Sequence, residues 1–97
     1  MKIPQTAHNL NNQQIKGLNY AVKNRSGITN HLRAKFGKNV LDEFVTQGFI
    51  TDSAGKKGMN TYRITEKGDE FYKSVFGKTE YYKTRLIGFF QKLLRKF

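Results

Sequence analysis

The chain has 97 residues, enough for one domain. Lys and Arg number 18 against 7 Asp and Glu, a net charge of +11. Such an excess points to a polyanionic partner: nucleic acid, an anionic membrane or an acidic protein. The absence of cysteine excludes disulfides and thiolate metal sites and suits a reducing compartment. No apolar run approaches the roughly 18–20 residues of a membrane span, and residues 1–6 carry no signal-peptide core, so the expectation is a cytoplasmic protein.

Residues 1–10 read as an irregular arm, with Pro4 and Asn9 against helix. A first helix is expected from Asn11 or Asn12 to about Asn24, with Ile15, Leu18, Tyr20 and Val22 as a loose apolar stripe that Gly17 weakens. Ser26-Gly27 breaks it, and Ser26 or Thr29 is placed to cap a second helix over about Ile28 to Lys35. There Ile28, Leu32 and Phe36 share one face. After Gly37 a third helix runs from about Lys38 to Gln47, with Val40, Leu41, Phe44 and Val45 turned inward, and Gly48 ends it. The period then changes from 3.6 to 2. Phe49–Thr51 and Asn60–Ile64 read as two strands of a hairpin around the glycine-rich loop 52–58. Thr65 caps a helix over Glu66–Phe76 whose acidic first turn suits the helix dipole. Gly77 stops that helix, and a last one starts near Thr79. The expected fold is mainly α with a small β-hairpin.

Two segments carry a resemblance. Leu41-Asp42-Glu43-Phe44-Val45-Thr46-Gln47-Gly48-Phe49-Ile50 places two large apolar residues three apart before Gly-apolar-apolar. Tyr62-Arg63-Ile64-Thr65-Glu66-Lys67-Gly68 is a strand ending followed by Thr, a polar pair and Gly. Together they resemble the exits from the recognition helix and from the wing in winged helix-turn-helix domains of the MarR and PadR groups of bacterial regulators. The resemblance covers residues 14 to 76. It implies a supporting helix at 28–36, a recognition helix at 38–47 in the DNA major groove and a wing at 53–60. For the C-terminal helix it implies homodimerisation; the small size without a ligand domain suits a transcriptional regulator or a plasmid or phage DNA-binding factor.

Candidate contacts to double-stranded DNA follow. Lys38 and Asn39 at the start of the third helix, with Thr46 further along, are placed to probe bases; otherwise Asn39 only caps. Lys56 and Lys57 at the wing tip, with Arg33 and Lys35 on the second helix, are candidate phosphate contacts or simply solvated charges. Arg63 is either a further contact or the cross-strand partner of Asp52. Asp42 and Glu43 fall on the exposed side of the third helix, where carboxylates repel phosphate but can accept from the cytosine amino group. His8 and His31 lie far apart with no cysteine and no paired carboxylates, so neither a catalytic constellation nor a metal or cofactor site is expected.

Residues 79–97 hold five basic residues and one acid. Tyr82, Leu86, Phe89, Phe90, Leu93, Leu94 and Phe97 form one wide apolar face of an amphipathic helix. Three uses are open: homodimerisation, cover for the domain's own core, or contact with an anionic membrane surface or a protein partner.

Overall fold

The computed structural model describes residues 10–55 and 58–96. Apart from Leu10 the N-terminal arm lies outside them, as do Lys56, Lys57 and Phe97. Among the described residues the chain runs α1 (Asn12–Asn24), β1 (Ser26–Ile28), α2 (Thr29–Phe36), α3 (Lys38–Thr46), β2 (Ile50–Ala54), β3 (Asn60–Ile64), α4 (Glu66–Phe76) and α5 (Lys78–Leu94). The fold is mainly helical with one small antiparallel sheet.

Local chemistry sets most boundaries. Asn11 caps α1 through a reciprocal box: the Gln14 N–H donates to Asn11 Oδ1, and the Asn11 N–H donates to Gln14 Oε1, both at 2.8 Å. Thr65 caps α4 by accepting from the Gly68 N–H at 3.0 Å, and its hydroxyl donates to the Gly48 carbonyl at 2.5 Å. One residue thereby starts a helix and ties it to the end of α3. Gly37 turns the chain between α2 and α3 at φ 97°, a value open to glycine and costly to other residues.

Two expectations change. The Ser26-Gly27 break is itself a strand: β1 pairs with β3, so the sheet has three strands in the order β1-β3-β2. Ile28 therefore belongs to β1 and only flanks α2. Neither Ser26 nor Thr29 caps α2: its N-cap is Ile28, without a side-chain bond, and the Thr29 hydroxyl donates to Asp52 Oδ1 at 2.8 Å. The hairpin also extends to Ala54, paired with Asn60.

The core gathers Leu18, Ala21, Val22, Leu32, Val40, Leu41, Phe44, Phe49, Ile50, Tyr62, Ile64, Tyr72 and Tyr81. Each fully buried large apolar side chain contributes about 1.5–3 kcal/mol. Gly17 has a role there: a Cβ would meet Val40 Cγ1 at 3.1 Å and Phe44 Cε2 at 3.3 Å, so glycine lets α3 close on α1. The last helix packs on α1 and α4 through Tyr81, Thr84 and Gly88. The Thr84 hydroxyl lies 2.9 Å from the Tyr72 hydroxyl, which also accepts from Asn19 Nδ2 at 2.9 Å. A Cβ at Gly88 would collide with the Lys23 carbonyl.

Candidate nucleic-acid interface

The α2–Gly37–α3 pair presents α3 outward. Val40, Leu41 and Phe44 are buried, so helical spacing turns Lys38, Asn39, Asp42 and Thr46 to solvent on one face. Val45, expected inside, is 40% exposed. The α3 helix has no side-chain N-cap, since Gly37 occupies that position, so Asn39 is free of the capping role.

The two carboxylates have different partners. Asp42 shares the Lys38 face and sits 3.8 Å from Lys38 Nζ, an exposed i,i+4 pair that is weak in water. Glu43 turns to the flank, where it accepts from Gln47 Nε2 at 2.9 Å beside a groove also lined by Leu10 and Gln14. Asp42 lies one turn from Lys38 and Glu43 one turn from Asn39, so both carboxylates border the residues expected to probe bases.

Arg33 and Lys35 do not form one patch, because two residues on a helix diverge by about 200°. Arg33 donates to Asn30 Oδ1 at 2.6 Å, and its buried Nε has no partner among the described residues. Lys35 lies over the Tyr20 ring of α1, its Nζ 5.5 Å from the centroid. Lys56 and Lys57 fall outside the described residues.

Arg63 does not pair with Asp52. In the β2–β3 register Asp52 faces Tyr62, on the opposite side of the sheet, and is engaged by Thr29. Arg63 lies between Ser26 of β1 and Thr51 of β2 on the exposed side of the sheet, and Thr61 lies between Ile28 and Ser53. A shallow concavity there is lined by Ser26, Thr51, Ser53, Thr61 and Arg63. Sequence reasoning missed this setting because β1 is three residues long and looks like a helix break. The other face of the sheet carries Tyr62 and Ile64 into the core. Burial pushes the Tyr62 phenol up to about 12.

A further pair carried no sequence signal. Arg25, the C-cap of α1, takes φ 72°, and its guanidinium grips the Asp69 carboxylate of α4 with both nitrogens, at 2.5 and 2.7 Å. The hydrogen bond that Arg25 donates to Asp69 raises the Arg25 pKa against the opposing effect of burial. A cation counted toward the basic surface is thus spent on holding two helices together.

Tyr82, Leu86, Phe89, Phe90 and Leu93 all face away from the body, 61, 55, 61, 52 and 40% exposed. They do not cover the domain's own core, which takes Tyr81, Thr84 and Gly88 instead. Beside them Lys92 has its pKa lowered by burial and by the like charges of Arg25, Arg85 and Arg95.

Among the described residues there is no cluster of three or more potential metal ligands, and no helix is long and apolar enough to cross a membrane. Compared with family profiles, curated proteins and solved structures, the chain finds no match.

Proposed function

We propose that this chain is a non-enzymatic, double-stranded-DNA-binding protein that uses a winged helix-turn-helix. One observation carries the reading: α2 and α3, joined by a single glycine, present Lys38, Asn39 and Thr46 on one solvent face of α3, and the β2–β3 hairpin follows directly. The net charge of +11 supplies the attraction to phosphate that such a domain needs. In this reading Lys38, Asn39 and Thr46 approach base edges, while Lys56, Lys57 and Arg33 hold backbone phosphates. Arg63 acts from the sheet, and Lys35, held over Tyr20, contributes only general charge. A small transcriptional regulator, or a plasmid or phage DNA-binding factor, fits this reading.

The test is a mobility shift on random duplex DNA, titrated with salt. Wild type is expected to bind with a steep log–log salt dependence. Lys56→Ala/Lys57→Ala is expected to flatten the slope by about one for each phosphate contact removed. No shift even at low ionic strength would remove the DNA reading.

A further inference from the structure

The outward face of α5 is the largest exposed apolar feature among the described residues, and its surroundings are one-sided in charge. Tyr82, Leu86, Phe89, Phe90 and Leu93 follow the i, i+4, i+7, i+8, i+11 spacing of a single helical stripe. Along one flank of that stripe Lys78, Arg85 and Lys92 recur every seven residues, with Lys96 one turn further on. The other flank carries Lys83 with Ile87 and Leu94. Glu80, the one acid in residues 78–96, lies seven residues before Ile87, at the outer edge of that second flank.

This pattern decides between occupants. Two copies joined through their α5 stripes would bring flanks together. In an antiparallel pair each flank meets its own counterpart; in a parallel pair one flank meets the other. Both arrangements leave the four cations of the first flank short of acid: in the antiparallel pair they meet their own copies, and in the parallel pair they meet Glu80 alone, on chains that each carry +11. An anionic lipid surface reverses the sign: the apolar stripe enters the headgroup boundary and the flanking Lys and Arg meet lipid phosphates. The back of α5 is already held by Tyr81, Thr84 and Gly88 against α1 and α4, so the face is offered by the folded domain without any rearrangement.

We infer that α5 docks the protein on anionic membrane surfaces, with Tyr82, Leu86, Phe89, Phe90 and Leu93 inserted and Lys78, Arg85, Lys92 and Lys96 on headgroup phosphates. The inference stands whether or not α3 binds DNA.

The experiment is flotation of the full chain with vesicles of equal parts phosphatidylglycerol and phosphatidylcholine, beside vesicles of phosphatidylcholine alone. Wild type is expected to float with the anionic vesicles, to stay behind with the neutral ones, and to be released by salt. Phe89→Gln/Phe90→Gln, both at exposed positions, is expected to weaken partitioning about a hundredfold. Lys92→Gln/Lys96→Gln is expected to weaken it about thirtyfold. Leu86→Gln on the same stripe gives the smaller loss of a single side chain, and unchanged circular dichroism separates lost binding from lost folding. The inference fails if wild type ignores anionic vesicles or binds neutral ones equally well. It fails also if the Phe pair is without effect. A dimer in light scattering that the Phe pair dissolves, with no flotation, would give the face to a second copy.

Discussion

At the scale of single residues, two buried polar groups carry consequences. The Arg25–Asp69 pair joins the end of α1 to α4, and Asp69 is the one buried charged residue among the described residues. Asp69→Asn leaves a half-buried guanidinium without its counter-charge and is expected to cost about 2 kcal/mol, read as a lower urea midpoint at unchanged slope. Tyr62 sets an alkaline limit. Its folded-state pKa is raised to about 12 from the ordinary 10 because burial disfavours the phenolate. The unfolded chain therefore loses its proton first, so this contribution to stability is complete below pH 10 and falls away as pH rises towards 12. Tyr62→Phe is expected to flatten that part of the stability profile relative to wild type in melts taken across the window. An unchanged slope would show that the phenol is freely hydrated in the folded protein.

Among the elements, α5 depends on a glycine and α3 on the sign of one side chain. Gly88→Ala drives a methyl group into the Lys23 carbonyl, a backbone atom that cannot step aside. It is expected to destabilise by about 2–3 kcal/mol as α5 lifts from α1. Gly77→Ala meets open space and pays only for φ 91°, about 1 kcal/mol. The two melting temperatures should rank in that order. On α3, Asp42 neutralises Lys38 in the middle of the face proposed to meet DNA. Asp42→Asn is expected to tighten non-specific duplex binding several-fold in a mobility shift, because a repulsive charge disappears and Lys38 is released. The same substitution would leave affinity unchanged if α3 does not face the phosphates.

For the whole molecule, the two proposed surfaces differ in charge and in apolar content. The α3 face is polar, and the α5 face is apolar with basic flanks. Both are offered outward from one core, by helices whose opposite sides are buried. If each surface engages the partner proposed for it, duplex DNA is expected to float with anionic vesicles only when the protein is present. Phe89→Gln/Phe90→Gln should abolish this co-flotation while leaving the mobility shift intact. Loss of both together would mean that the α5 stripe also supports the DNA-binding fold.

The order of the helices and most of their limits were legible in the chain itself, because caps and stops act within a few residues: the caps Asn11 and Thr65, and the glycines at 37, 48 and 77; the start of α2, at Ile28 with no side-chain cap, was not. Net charge and the apolar stripe of α5 were equally plain, since they need only composition and spacing. Tertiary structure alone decided which side of α5 is buried. The small residues Thr84 and Gly88 permit the backbone approach to α1 that the large side chains would block, so the more apolar face is left outside. Only the folded chain brings Ser26 beside Arg63, Arg25 onto Asp69 and Thr29 onto Asp52. These contacts join positions 23 to 44 residues apart, beyond the reach of any local pattern, and they depend on how the sheet closes over the helices.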